Sequence, residues 1–212
     1  MVVTTPVKID LNVVAVESLA TLSPATLEWL QGNPGELRKV IGSLAQFPRP
    51  AVGRFLMTVT LGNGPKEGSG FATAVETAGM KVGDYARSML LNKKDFVVTR
   101  KKQELDLYIV MPREMGFTIN TRLDQVTACA TGDYGFQICP KDTGPAARPL
   151  YKEQPLNEWL AVVSEPITDS DGNLKLFSLG HGSGGLWLNS NYGYPDAGYH
   201  PDGKLVFVRP RK

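Results

Sequence analysis

Histidine and cysteine are scarce in this 212-residue chain, which has two of each. A four-ligand Cys/His zinc site would need all four, yet the spacing of His181, His200, Cys129 and Cys139 matches no CxxC or HxxxH pattern. The sequence therefore predicts no Cys/His metal site and leaves only a carboxylate-rich one open; no metal or cofactor is expected. Any Ser-His-Asp or Cys-His pair would have to recruit one of the two histidines through long-range folding.

A charge excess and long apolar runs are missing as well. The chain has 23 Lys and Arg against 21 Asp and Glu, and a net charge of +2 neither favours nor excludes a nucleic-acid partner. No stretch approaches the roughly 20 apolar residues that a membrane helix needs. The first residues also lack the basic start of a secretory signal. We therefore expect a cytoplasmic protein with no membrane partner and with reduced thiols.

What remains is an ordinary globular composition, with 42% hydrophobic residues, 22 Gly and 15 Pro. Residues 11–47 are typical of helices, with Ser23 as a candidate N-cap and a second apolar face that begins at Leu37. From Met115 onward, turn residues cluster and the expected strands are short. We predict an α+β fold in which N-terminal helices precede a turn-rich, mainly antiparallel β module. The expected segments are a helical arm (1–49), a mixed α/β segment (50–110) and a β-rich module (111–212).

The mixed segment begins with a predicted strand over 54–64. The Gly-rich turn that follows fails the Walker pattern, because Lys66 precedes Glu67 and Gly68 instead of following a glycine. Residues 71–94 are typical of two helical pieces around Gly79. Residues 96–110 suggest two strands joined by a basic RKKQE turn.

The C-terminal module contains two predicted hairpins. In the first, over 125–140, Cys129 and Cys139 would lie roughly opposite one another, either as a disulfide or as two buried thiols. In the second, two strands flank the tight turn 168–173, whose Asp-Gly pair favours a hairpin and whose spacing fails the EF-hand pattern. Trp159 is expected to anchor the core, and KLVFVRP to form the last strand.

Aromatic residues near the C-terminus are candidate ligand-binding residues. They lie beside Asn and Asp, a combination that suits stacking on a sugar ring or a base. The alternative is that the same side chains fill the core beside a Pro-rich loop. The candidates are Trp187, Tyr192, Tyr194 and Tyr199.

Basic residues over 87–102 support a second hypothesis, a nucleic-acid-binding protein of a mobile element. The strand and helices before them are similar to those of ribbon-helix-helix DNA-binding proteins, but they also fit any helical hairpin. The basic turn could equally be a solvated hairpin tip. The candidate residues are Arg87, Lys93, Lys94, Arg100, Lys101 and Lys102.

A hydrolase is the third hypothesis, with His181 or His200 as acid or base and Asp196 nearby. The HGSGG stretch suggests Ser183 as a nucleophile. However, the Gly-x-Ser-x-Gly elbow requires Gly two residues before the serine, where this chain has His181. The hydrolase hypothesis predicts that His181, His200 and Asp196 line one pocket.

The stretch from about Leu105 to the C-terminus also resembles a widespread bacterial protein family of uncharacterised function. The resemblance covers about half of the chain and departs from the family pattern at PAARPLY. It implies a shared module and no particular mechanism. The matching positions are Cys139, Pro140, Gly144, Pro145, Tyr151, Gln154, Pro155, Glu158, Trp159, Leu160, Pro166, Ile167, Thr168, Asp169, Ser170, Asp171, Gly172, Trp187, Pro195, Asp196, Phe207 and Val208.

No nucleophile, base and orienting group can be assembled from local patterns, so a non-enzymatic protein is the leading interpretation. We expect a structural or binding protein of bacterial or phage origin that binds a protein partner or self-associates. Its site would be the C-terminal aromatic loop or the basic turn.

Overall fold

A computed structural model describes residues 51–211 and isolated positions between 23 and 35. The chain divides into two units, 1–51 and 52–212, and the second unit is described here. The predicted helical arm over 1–49 lies almost entirely outside the described residues. The mixed α+β class is confirmed by the second unit, which combines helices with an extensive sheet.

The second unit begins and ends with a strand, and its helices are short. Its strands are β1 (Arg54–Leu61), β2 (Lys81–Val82), β3 (Gln103–Val110), β4 (Thr121–Arg122), β5 (Trp159–Val162), β6 (Ile167–Thr168), β7 (Leu174–Gly182), β8 (Gly185–Tyr192), β9 (Gly198–Tyr199) and β10 (Lys204–Arg209). Its α-helices are α1 (Gly68–Thr77), α2 (Asp84–Leu91), α3 (Leu123–Gly132) and α4 (Thr143–Ala147), with a 3-10 turn at Pro112–Met115.

Eight of these strands form one sheet in the order β1-β3-β10-β5-β7-β8-β2, with β6 paired to β7 beside this path. Most pairs are antiparallel, and β10 with β5 and β2 with β8 are parallel. Strands β4 and β9 form a separate pair. The sheet therefore takes strands from both sides of residue 110, where the sequence placed a segment boundary.

Both faces of the sheet are covered, and this explains the continuous apolar run of β10. Val206 and Val208 face a core that includes residues of α1 and α2. Leu205 and Phe207 face the opposite core, which includes residues of α3. Because successive side chains of a strand point to opposite faces, a strand buried on both sides loses the usual alternation of polar and apolar residues. The predicted last strand is confirmed.

The predicted hairpin over 96–110 is wrong. Strand β3 pairs with β1 and β10, and residues 96–100 form no strand. The alternating pattern is still real, because Phe96 and Val98 are buried while Val97 is exposed. The Phe96 ring packs edge-on against Phe177 at a centroid distance of 5.9 Å, so core packing holds this segment without a strand ladder.

The predicted hairpin around the two cysteines is also wrong, because α3 occupies residues 123–132. Leu123, Val126 and Ala130 are buried at helical spacing, which outweighs the local resemblance to alternation. Cys129 and Cys139 are both buried, and neither forms a disulfide. The buried-thiol alternative is thus the correct one.

The hairpin centred on residues 168–173 is confirmed, since β6 pairs with β7 across this turn. Asp169 Oδ1 accepts hydrogen bonds from the Asp171 and Asn173 amides, each at 2.9 Å. Asp side chains commonly close turns in this way. Asp169 therefore has a structural role.

No helix among the described residues is long and apolar enough to cross a membrane.

Candidate ligand-binding site

A cavity of about 680 Å³ opens on one face of the sheet, where the chain between β8 and β10 folds over β5, β7 and β8. Its volume lies within the range of small-ligand sites. Aromatic, hydroxyl, amide and charged residues line it. The lining residues used below are Trp159, Tyr192, Asn191, Asp196, His200 and Lys204.

Trp159 forms an aromatic wall of this cavity, and Gly180 of β7 makes room for it. Trp159 is the register partner of Gly180 on the neighbouring strand. A Cβ on Gly180 would lie 2.8 Å from indole Cη2 and closer still to other ring atoms, and one on Gly182 would lie 3.9 Å from Cζ2. The indole thus lies along β7, with 49% of the residue still exposed. The prediction that Trp159 anchors the core is wrong.

The three candidate tyrosines lie at this cavity but have different environments. Tyr199 is buried, and its hydroxyl donates to the Tyr192 carbonyl oxygen at 2.8 Å. Burial raises the pKa of Tyr199, because the phenolate form would be poorly solvated. The Tyr194 hydroxyl lies 3.2 Å from Asn173 Oδ1. Tyr199 and Tyr194 are therefore held in place from within the protein.

Tyr192 is the most exposed of the three, at 57%. The ammonium nitrogen of Lys175 lies 3.8 Å from its ring centroid, an arrangement typical of a cation–π contact. The same ammonium lies 3.9 Å from buried Asp169. Tyr192 thus has a fixed lysine beside its ring and a large surface open to solvent.

The remaining predicted aromatic, Trp187, does not line this cavity. It is the register partner of Gly180 on the side opposite Trp159, so the two indoles flank the same glycine on three adjacent strands. The Lys81 ammonium lies 5.0 Å from the Trp187 ring centroid. Trp159 and the three tyrosines therefore line one cavity and Trp187 does not, but the Tyr192 ring lies on the opposite face of the sheet from Trp159, because Lys175 and Gly180, their register partners on β7, are five residues apart.

A buried ion pair supports the cavity from behind. Lys204 Nζ donates to Glu158 Oε1 at 2.6 Å, and the Tyr151 hydroxyl donates to Glu158 Oε2 at 2.7 Å. Glu158 is buried, whereas the Lys204 side chain is about one-third exposed. Burial and the Glu158 carboxylate raise the pKa of Tyr151 to about 12. Lys204 therefore contributes little free positive charge to the cavity.

Next to this pair, buried Arg148 holds the loop that precedes β5. Its guanidinium donates to Gln154 Oε1 at 2.5 Å and to the Tyr151 carbonyl oxygen. Gln154 Nε2 in turn donates to the Leu179 carbonyl oxygen at 3.0 Å. Burial lowers the pKa of Arg148 to about 10. These bonds tie the loop to β7 and so help to position Trp159.

The three proposed catalytic residues are not gathered in one place. Asp196 and His200 line the cavity, whereas His181 does not. His181 Nδ1 lies 2.6 Å from the Gln154 carbonyl oxygen, so that nitrogen is the donor. His200 Nδ1 accepts from the Asp202 amide at 3.1 Å. With its histidines separated in this way, the geometry adds no support to the hydrolase hypothesis.

The candidate nucleic-acid residues are distributed over two environments. Arg87 forms a salt bridge with Glu76. Lys93 and Arg100 line a second cavity, together with Lys66. Lys94, Lys101 and Lys102 are exposed and do not line it. The described residues contain no group of three or more His, Cys, Asp or Glu that could hold a metal ion.

Sequence reasoning missed Trp159 and Lys204 as residues of the aromatic cavity. A lone Trp in an apolar strand is normally assigned to the core, since large aromatic side chains bury much surface there. The signal that could have found it is Gly180 within a long strand, because glycine within a strand can mark a close approach by another group.

The chain matches no protein-family model, no curated protein and no solved structure. The resemblance of residues 105–212 to a bacterial family stays a prediction.

Proposed function

We propose that this protein is a non-enzymatic binding protein and that the aromatic cavity binds a carbohydrate. The observation that carries the proposal is the half-exposed indole of Trp159, which lies along Gly180 and lines a cavity rich in polar groups. Sugar rings combine apolar C–H faces with hydroxyl edges. An indole face and a set of hydrogen-bonding side chains are complementary to the two parts.

The charges of the cavity favour a neutral, hydroxyl-rich ligand over a phosphorylated one. Lys204 is paired with Glu158, so its charge is largely compensated. Asp196 also lines the cavity and would repel an anionic group. Asn191 and His200 can both donate and accept hydrogen bonds, as sugar hydroxyls require.

Order within the site supports a preformed cavity. The Tyr199 hydroxyl and the Arg148 guanidinium both bond to backbone carbonyl oxygens nearby. A ligand therefore meets walls that are already positioned, which lowers the entropy cost of binding. Self-association and a protein partner stay predictions.

The test is a titration with a panel of neutral oligosaccharides, built from glucose, galactose and N-acetylglucosamine, and with nucleosides as a second panel. Binding is followed by NMR of the indole N–H signals and by calorimetry. We expect at least one oligosaccharide to shift the Trp159 signal, and Trp159→Ala to weaken its binding at least tenfold. Thermal unfolding checks that the variant is folded.

Phe55→Ala is the matched control. Phe55 is also about half exposed, but it lies on β1, at the other end of the sheet from β8. This change should leave oligosaccharide binding unaltered. Failure of every oligosaccharide to shift the Trp159 signal, or a shift produced by nucleosides alone, would overturn the proposal.

A further inference from the structure

A second cavity, of about 480 Å³, lies beside α1 and α2, and it shares no lining residue with the proposed carbohydrate site. Three basic residues line it, and they come from three separate parts of the chain. Lys66 lies in the loop after β1, Lys93 follows α2, and Arg100 precedes β3. These positive charges repel one another, and an anion bound among them would relieve that repulsion.

A close backbone contact brings two of these segments together. A Cβ on Gly68 would overlap the Leu90 carbonyl group, so only glycine allows α1 to begin directly against the end of α2. Lys66 lies two residues before that contact, and Lys93 lies three residues after it. The Lys66 ammonium also donates to the Gly62 carbonyl oxygen at 3.2 Å. The position of Lys66 beside Lys93 is therefore a consequence of backbone packing.

The segment that carries Lys93 and Arg100 is fixed at both ends. The Asn92 side-chain amide donates to the Thr168 carbonyl oxygen at 2.9 Å. At the other end, the Thr99 amide and hydroxyl each donate to the Asp142 carboxylate at 2.8 Å. The two basic residues thus extend from a segment whose backbone is held in place, and the cavity is preformed.

The positive charge of this cavity is poorly compensated. Across residues 51–211, Lys93 and Arg100 form no salt bridge, in contrast to Arg87, which is paired with Glu76. Glu67 is the acidic residue among those that line the cavity. Three cations therefore face one carboxylate, and one Arg with two Lys is a combination well suited to phosphate oxygens.

An apolar wall lies beside the cations. Leu91 and Val97 both line the cavity, and they are 57% and 63% exposed. Inorganic phosphate would contact the basic side chains and leave this apolar surface in water. A nucleotide presents phosphate groups and a flat, weakly polar base in one molecule. It would therefore contact both the basic side chains and the apolar wall.

We propose that the cavity lined by Lys66, Lys93 and Arg100 binds a nucleotide through its phosphate groups, with the base against Leu91 and Val97. The nucleotide can be free or part of a single strand, since both present the same phosphate and base. Of the six residues that the sequence suggested for nucleic-acid contact, this site keeps Lys93 and Arg100. It adds Lys66.

The test measures the binding of three probes to the full chain by fluorescence anisotropy and calorimetry: ADP, a ten-residue oligothymidylate and inorganic phosphate. We expect ADP or the oligonucleotide to bind at least tenfold more tightly than phosphate. Lys93→Gln and Arg100→Gln should each weaken that binding at least fivefold. Binding should also weaken as salt is raised, because the phosphate contacts are electrostatic.

Lys152→Gln is the control, because it removes the same charge from an exposed lysine outside the cavity. Much tighter binding of the oligonucleotide than of ADP would identify a strand as the ligand, and similar binding would identify a free nucleotide. Either result supports the proposal. Absence of ADP and oligonucleotide binding, equal binding of inorganic phosphate, or equal loss in Lys152→Gln would overturn it.

Discussion

The indole of Trp159 occupies the space that a side chain at position 180 would need. Residues 159 and 180 are register partners on adjacent antiparallel strands, and such partners face the same side of the sheet. The glycine therefore decides where the indole lies. Without it, the ring would have to turn away from β7, and the cavity would lose its aromatic wall.

Gly180→Val should displace the indole and reduce oligosaccharide binding as strongly as Trp159→Ala does. The indole should turn towards solvent, so its fluorescence emission should move to longer wavelength. Gly184→Ala provides the matched control, since the nearest atoms to a Cβ there lie 3.5 Å away or farther. Equal effects of the two glycine substitutions on fluorescence would contradict the assigned role of Gly180.

Lys204→Met should destabilise the fold, because it leaves the buried Glu158 carboxylate without its cation. Removing one partner of a buried ion pair costs about 2–4 kcal/mol, and the partial exposure of Lys204 favours the lower end. Urea unfolding gives the free energy directly. The double variant Lys204→Met/Glu158→Gln should recover part of the loss, since a neutral amide needs no counter-ion. No recovery would mean that Lys204 acts mainly through packing.

Asp142→Ala should make the segment 92–100 more mobile, beginning at Thr99. The carboxylate is buried and accepts two hydrogen bonds from Thr99, so its removal leaves a half-buried amide and hydroxyl without these acceptors. We expect a loss of about 2–3 kcal/mol and faster hydrogen exchange of the Thr99 amide. Asp142→Asn keeps one acceptor and should lose less. Unchanged exchange in Asp142→Ala would show that core packing of Phe96 alone holds the segment.

The Asp106 carboxyl should titrate at an unusually low pH. Hydrogen bonds from Arg211, and then from Thr58, lower its pKa to about 2 from the ordinary 3.8. These contacts stabilise the folded state above pH 3.8, and this contribution is lost as the pH falls towards 2. In Arg211→Gln the carboxyl pKa should rise towards 3.8, as measured by NMR titration. An unchanged pKa would assign the shift to Thr58.

Local patterns predicted the parts of this fold that depend on neighbours in the chain. The turn at Asp169 and Gly172 could be predicted because Asp-Gly chemistry acts within a few residues. The two helices between residues 68 and 91 could be predicted because their apolar spacing is helical. The last strand followed from its continuous apolar run. None of these features requires knowledge of a distant partner.

The candidate sites were only partly predictable, because they combine residues that are distant from one another in the sequence. The three tyrosines of the aromatic cavity were identified because they cluster within eight residues. Trp159 and Lys204 belong to distant strands, and only the pairing of β5 with β7 and β10 brings them together. Likewise Lys66 reaches Lys93 only through the contact of Gly68 with Leu90.

The sequence by itself determined that the second unit is an α+β fold, because residue periodicity and turn chemistry are local properties. The expectation of short strands after Met115 was wrong for β7 and β8, which have nine and eight residues. Tertiary structure decided which alternating segment became a strand and which did not. Phe96 and Val98 alternate as strand residues do, yet they pack into the core without a partner strand, because β3 pairs with β1 and β10 instead. Tertiary structure also decided that Trp159 faces the cavity, since the exposure of this side chain depends on which residue of β7 lies opposite it.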